Sequence, residues 1–150
     1  MKLQEVMIAP AIFVYADAPI WRAARKMKDH RCGFLPVVTG NVVVGVVTTR
    51  DLAYAMGEDP LESNLVAVGQ VMSVPPLVML PEDEAEDAVL QMRCHEVRRL
   101  AVCDPDGVLR GVVSLSDLAG YYSENSVLRR LREVPSLRPR VNVGSSAWLK

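Results

Sequence analysis

The sequence predicts an α+β fold made of two β-α-β-β-α repeats sharing one core. The first observation is a recurring phrase. Gly45-Val46-Val47-Thr48-Thr49-Arg50-Asp51-Leu52 returns as Gly111-Val112-Val113-Ser114-Leu115-Ser116-Asp117-Leu118. In each copy a glycine opens a β-branched run suited to a buried strand. A hydroxyl residue closes the run and an aspartate follows three positions later, as at a strand end that caps the next helix. The second observation is the register of the rest. A shift of 65 residues matches Val6-Met7 to Val71-Met72, Pro10 to Pro75, Ala23 to Ala88, Met27 to Met92, His30 to His95, Leu35 to Leu100 and Val37 to Val102. One extra residue in the second turn moves the shift to 66, which matches Val42, Gly45 and Asp51 to Val108, Gly111 and Asp117. The third is size. Repeats over 6–56 and 71–122, joined by a linker at 57–70, are each too small to bury much surface alone, so the two are expected to pack as one domain over 1–122.

The elements follow in order. Residues 1–7 form a helical turn ending at Met7, and Ile12 to Tyr15 are extended. Asp17-Ala18-Pro19 is a helix start, with Asp17 or Ala18 near the cap and Pro19 in the first turn. Ile20, Ala23, Ala24 and Met27 fall on one helical face, and the helix ends near His30. Leu35-Pro36-Val37-Val38 is a strand that Pro36 places at an edge or a beginning. Thr39-Gly40-Asn41 is a hairpin turn, Val42 to Val47 the partner strand, and Thr49 to Met56 a helix. Gly57-Glu58-Asp59-Pro60 breaks that helix, and Leu65 to Val71 form a short one. The second pass repeats the first. Leu77 to Leu80 are extended, Pro81-Glu82-Asp83-Glu84 starts a helix, and Ala85, Ala88, Val89 and Met92 are its buried stripe. Leu100 to Cys103 and Val108 to Val113 are strands around the turn Asp104 to Gly107, and a helix runs from Ser116 to about Tyr122.

Residues 123–150 have no counterpart in the first repeat. Arg129, Arg130, Arg132, Arg138, Arg140 and Lys150 face only Glu124 and Glu133. Val127, Leu128 and Leu131 give this basic tail one apolar helical edge, and beyond Pro135 the composition is that of an extended chain.

Composition narrows the function. Half of the residues are hydrophobic and the net charge is −1, so no global basic field attracts nucleic acid, which is not an expected partner. No apolar stretch is long enough for a membrane span and the start lacks a signal-peptide pattern. Cys32, Cys94 and Cys103 show no CxxC spacing, which points to a reducing, cytoplasmic setting and away from structural zinc. No nucleophile–base pair, metal cluster or P-loop is visible, so no enzyme is expected. His30 and His95 end equivalent helices, where a positive charge suits the dipole. Glu82, Asp83, Glu84, Glu86 and Asp87 read as a dipole-complementing helix start. Trp21 beside Arg22 is either a dimer-surface residue or a single exposed aromatic.

The paired G-h-h-[T/S]-x-x-D-[L/I] phrase, the Val-Met openings and the Leu35-Pro36-Val37-Val38 strand resemble the CBS domain family, named after cystathionine β-synthase. Two departures stand out. Ile8 replaces the hydroxyl that usually follows the first Val-Met, and the second strand reads Leu100-Ala101-Val102-Cys103. The resemblance covers about four-fifths of the chain. It implies a tandem, pseudo-twofold Bateman-type module that regulates rather than catalyses, for instance in energy sensing. It also implies association as a homodimer and clefts binding AMP, ADP, ATP or S-adenosylmethionine, with no cofactor required.

In such clefts a carboxylate accepts ribose hydroxyls, a Ser or Thr hydroxyl meets ribose or phosphate, a helix start offers N–H groups, and aliphatic chains sandwich adenine. The resemblance assigns a first cleft to Asp117, Ser114, Ser116 and Val112, with Ile12, Cys32 and Gly33 from repeat one, Met7 at the rim and Arg99 toward phosphate. A second cleft takes Asp51, Thr48 and Val46, with Leu77, Val97 and Arg98 from repeat two and Met72 at the rim. Phe34 stands where the first has Arg99, so the first is favoured for a phosphorylated ligand. Two other readings remain open. Ser/Thr-x-x-Asp is also a plain cap worth about 1 kcal/mol. The chain is alternatively a ligand-free protein interaction or assembly module acting on an unidentified protein partner through its C-terminal tail.

Overall fold

The computed structural model describes residues 1–133. The chain divides into two compact units, and the division does not follow the repeat boundaries. Of the described residues, Ile12–Pro76 form one unit, and Met1–Ala11 join residues 77–133 in the other. Each carries a three-stranded sheet flanked by helices, the α+β arrangement expected.

In the first-repeat unit, β1 (Val14–Tyr15) lies parallel to β2 (Phe34–Thr39), which is antiparallel to β3 (Val42–Thr48). Only two of the four residues expected to be extended join the sheet. Pro36 is neither at an edge nor at a strand beginning, because β2 is the middle strand. Its missing N–H is nevertheless harmless. Pro36 pairs with Val46, whose N–H and C=O both bond Ser73 on the far side of β3. The nitrogen of Pro36 therefore faces β1, which pairs only with Val37 and Val38.

Helix α2 (Ile20–His30) buries Ile20, Ala23 and Met27, whereas Ala24 is exposed and not on the buried face. Its cap is Pro19, without a side-chain bond; neither Asp17 nor Ala18 takes that role. Helix α3 (Thr49–Glu58) runs through Gly57, two residues past the expected end, and stops before Asp59. The expected helix from Leu65 to Val71 is split into a 3₁₀ turn (Ser63–Leu65) and α4 (Val68–Val71), because Val66 and Ala67 are extended.

Helix α4 closes this unit. Val68 and Gly69 donate to the carbonyls of Ala18 and Ala16, each at 2.8 Å, and Gln70 Oε1 accepts the Ala67 N–H at 2.8 Å. Met72 and Ser73 then run against β3. A Cβ on Gly45 would lie 2.5 Å from Met72 Sδ and 3.1 Å from the Ser73 carbonyl. Glycine lets Met72 and the Ser73 backbone approach this closely.

The second unit repeats the device with the chain's opening residues. Helix α1 (Leu3–Val6) docks through Leu3 and Gln4, which donate to the carbonyls of Asp83 and Pro81 at 2.9 Å each, while Glu5 Oε2 accepts the Lys2 N–H at 2.7 Å. A Cβ on Gly111 would meet Met7 Sδ at 2.7 Å and the Ile8 carbonyl at 2.9 Å. Each Val-Met opening thus serves the glycine phrase of the other repeat: Val6-Met7 belongs with Gly111, and Val71-Met72 with Gly45.

The second sheet contains β4 (Val78–Met79), β5 (Arg99–Cys103) and β6 (Leu109–Ser114) in that order. Helix α5 (Ala85–Cys94) is buried at Ala85 and at every position from Asp87 to Met92. Its acidic start is tied to cations. Glu84 pairs with Lys2 at 2.6 Å and with the Met1 amine at 2.9 Å, which holds its carboxyl down at about 2. Asp87 receives Arg130 in a two-pronged bond at 2.6 and 2.8 Å.

The helix expected from Ser116 to about Tyr122 is α6 (Leu115–Leu118), only four residues long. Gly120 stands where α3 has Tyr54, and a helix-interior glycine is costly. Helix α7 (Glu124–Glu133) packs on α5 with Val127 buried in the core; Leu128 is half exposed and lies off that apolar edge. Residues 134–150, including the predicted extended stretch with Arg138, Arg140, Trp148 and Lys150, lie outside the described residues.

Candidate ligand-binding site

The end of β6 brings a hydroxyl–carboxylate set together. Ser114 caps α6: its N–H and its Oγ both donate to Asp117 Oδ2, at 2.8 and 2.6 Å, and its Oγ accepts the Asp117 N–H at 3.2 Å. Ser116 Oγ lies 2.9 Å from Ser114 Oγ. One carboxylate oxygen thus fixes the cap. Asp117 Oδ1 has no bonding partner among the described residues, so it is available to accept from a ligand hydroxyl.

The neighbouring strand supplies charge. The Arg98 carbonyl accepts the Leu115 N–H at 2.9 Å, which fastens the start of β5 to the start of α6. Arg98, Arg99, Ser114, Leu115 and Ser116 together line an open hollow of about 210 Å³. Both arginines are exposed, and neither has an acidic partner among the described residues. Because α6 has four residues, its dipole adds little; the two guanidinium groups are the source of positive potential here.

Met7, Arg99, Val112, Ser114, Ser116 and Asp117 share this unit. Val112 lies two residues before Ser114 on the same face of β6 and bridges Ile8, while Met7 fills the space over Gly111. Ile12, exposed, and Cys32 and Gly33, half-buried, belong to the first-repeat unit. Of the second set, Val46, Thr48, Asp51 and Met72 lie in the first-repeat unit, and Leu77, Val97 and Arg98 in the second. Arg98, assigned with the second set, lines the hollow beside Arg99. Leu115 was not singled out; adjacency to both serines was its signal in the sequence.

The Thr48 end of β3 has the same cap, with different surroundings. Asp51 Oδ2 accepts from the Thr48 N–H at 2.9 Å and from Thr48 Oγ1 at 3.1 Å. Ser73 Oγ stands 3.5 Å from both carboxylate oxygens, a contact that Ile8 cannot make to Asp117. Gly33 packs so closely that a Cβ there would lie 2.9 Å from Thr49 Oγ1. The positions of Arg98 and Arg99 are thus held by Gly33 and Phe34.

Burial pushes the Cys103 thiol up to about 12, so it holds its proton at neutral pH. Among the described residues no group of His, Cys, Asp and Glu is arranged to hold a metal, and no helix is long and apolar enough to cross a membrane.

A model of the CBS domain matches residues 3–58 and 68–124. The chain belongs to the CBS domain family. It is 34% identical over 121 residues to the CBS domain-containing protein YhcV of Bacillus subtilis, covering 79% of this chain and 83% of that one. As a CBS pair it shares its fold with protein PAE2072 from Pyrobaculum aerophilum, solved with AMP: TM-score 0.72, 24% identity, 89% of this chain and 99% of that one. It is likewise similar to the CBS pair of protein MJ0100, solved with 5′-methylthioadenosine and S-adenosyl-L-methionine: TM-score 0.71, 18% identity, 80% and 94% coverage.

Proposed function

We propose that this CBS pair is a regulatory module that senses an adenosine nucleotide (AMP, ADP, ATP or S-adenosylmethionine). The observation that carries the reading is the Oδ1 of Asp117, unbonded among the described residues, beside two serine hydroxyls and two arginines that have no acidic partner among those residues. A carboxylate oxygen recognises a ribose diol, hydroxyls and guanidinium groups recognise phosphate, and Val112 offers an apolar face to a base. The ligands of PAE2072 and MJ0100 support the adenosine part. Occupancy is then read by a protein partner as a conformational or dimer change, and no chemistry on the ligand is required. Asp51, Thr48, Val46 and Met72 form the weaker candidate, because Ser73 engages the aspartate and Gly33 and Phe34 occupy the positions equivalent to Arg98 and Arg99.

Thermal unfolding with AMP, ADP, ATP and S-adenosylmethionine tests this. A ligand at 100 times its dissociation constant adds about 2.7 kcal/mol and raises the midpoint by a few degrees. Asp117→Ala lowers the unliganded midpoint by loss of the cap, about 1 kcal/mol, and is expected to abolish the further rise. No rise for any of the four in nucleotide-free wild type refutes the proposal.

A further inference from the structure

Resting on that reading, we infer that the second-repeat site is a polyphosphate site. It selects a nucleoside di- or triphosphate over a monophosphate and excludes the sulfonium S-adenosylmethionine. The lining of the hollow carries the argument. Four of its five residues are cations or hydroxyls: Arg98, Arg99, Ser114 and Ser116. Two adjacent arginines line the hollow without an acidic partner among the described residues, the single carboxylate of Asp117 beyond Ser114 offsets only one of them, and each supplies a planar fork of donors matched to phosphate oxygens.

A single phosphate would satisfy one fork and leave the other unpaired. A second phosphate gives both an acceptor. S-adenosylmethionine brings one carboxylate, enough for one fork, and its sulfonium and ammonium groups are repelled by both arginines. Ser114 and Ser116 add no negative charge, because their hydroxyls are neutral; Ser114 is bonded to Ser116 and to Asp117. The first-repeat unit has no such arginine pair among the described residues. Gly33 and Phe34 replace the arginine pair, and a side chain on Gly33 would run into Thr49. Among the described residues the anion-selective lining is therefore in the second unit rather than equal in the two.

Isothermal titration of wild type, Arg98→Gln and Arg99→Gln with adenosine, AMP, ADP, ATP, S-adenosylmethionine and inorganic pyrophosphate tests this. Charge-assisted bonds of this kind are worth roughly 10- to 100-fold in affinity. ADP and ATP are expected to bind at least about 10-fold more tightly than AMP, and each single variant to bring them toward the AMP value. AMP affinity should change less, and raising the salt concentration should narrow the gap. Equal affinities for AMP and ADP that are unmoved in both variants overturn the inference while leaving the nucleotide reading intact. Pyrophosphate binding without any nucleotide binding sinks the adenosine reading and keeps the anion site. Tighter binding of S-adenosylmethionine than of ADP overturns the inference directly. Circular dichroism of each variant establishes that a lost signal is not lost fold.

Discussion

The sheet of the first-repeat unit pairs Val14 with Val37 and Tyr15 with Val38; that of the second pairs Val78 with Ala101 and Met79 with Val102, one residue earlier in the shared pattern. Two prolines account for the difference. The bridge equivalent to Val78–Ala101 would need an N–H at Pro36. The bridge equivalent to Tyr15–Val38, which uses the Ala16 N–H to the Val38 carbonyl at 3.0 Å, would need one at Pro81. One plan thus yields two registers, because each half lacks a donor at a different end of its short parallel pair. What the halves keep identical is the crowding at the glycine of the shared phrase. What they change is everything that touches the strand and helix ends around it.

The largest expected effect tests the shared part. Gly111→Ala forces a methyl to within 2.9 Å of the Ile8 carbonyl, which is backbone and cannot rotate away. Gly45→Ala meets the Ser73 carbonyl at 3.1 Å, and its nearest neighbour is the flexible end of Met72. Overpacking of this kind costs about 1–3 kcal/mol. Gly111→Ala should sit near the top of that range and Gly45→Ala near the bottom, by urea unfolding. Adding Met7→Ala should restore only part of the Gly111→Ala loss. Equal losses would show that backbone clash is not what distinguishes the two positions.

The next effect tests a difference. Asp87 is the counterpart of Arg22 on α2, so equivalent helix positions carry opposite charge, Arg22 exposed and Asp87 buried. Asp87→Ala strands Arg130, whose guanidinium the carboxylate now holds protonated to higher pH, and loosens α7 over buried Val127. With Arg130 about a third exposed, a loss of about 2 kcal/mol is expected, between the surface and buried values for broken pairs. Arg22→Ala, in exposed helix surface, should change stability by less than about 0.5 kcal/mol. Urea midpoints of the two variants measure this contrast, and similar losses would remove it.

These contrasts also mark how far the sequence could be read. The repeat, the strands, both hairpin turns and the Thr48 and Ser114 caps are local in origin and were legible from spacing and capping residues. The exchange of the Val-Met openings was not, because nothing within Val6-Met7-Ile8 says that its partner is Gly111 rather than Gly45. Nor was the burial of α5 on nearly all sides: Asp87 and Gln91 look like surface residues until α7 is seen to lie against the helix. In the candidate site, the Ser-x-x-Asp cap was legible. The presence of both Arg98 and Arg99 in one hollow was not, because a strand normally sends neighbouring side chains to opposite faces. Here Arg98 precedes β5 and Arg99 is its first residue, so that alternation does not yet govern the pair.

A smaller effect addresses the register directly. Ala101 bridges Val112, whose N–H and C=O bond Ile8, so the Ala101 N–H faces β4. Ala101→Pro removes that donor and should cost about 1 kcal/mol. Pro36→Ala restores the donor in the first half, and hydrogen exchange should find a protected amide at residue 36. Free exchange there would mean that something other than proline sets the register of β1.

The smallest expected effect is electrostatic. Both halves make the same isolated antiparallel bridge, Lys2 to Glu84 in one and Pro19 to Ala67 in the other, but only the first carries charge. The Lys2 ammonium, and then the amino terminus, lower the Glu84 carboxyl from its ordinary 4.5 to about 2. A carboxyl depressed on folding contributes stability that is fully present above its unfolded value and is lost as pH falls through its folded value. The contribution of Glu84 should therefore fade between about pH 5 and pH 2. Its side chain is a third exposed, so screening holds the contribution below about 1 kcal/mol. Unfolding free energies of wild type and Glu84→Gln measured across that range should differ most near neutral pH and converge toward pH 2. Raising the salt concentration should shrink the neutral-pH difference, because solvent ions screen the exposed pair. A difference that stays constant with pH would assign the role of Glu84 to packing at the start of α5, and the bridge in both halves would then rest on backbone alone.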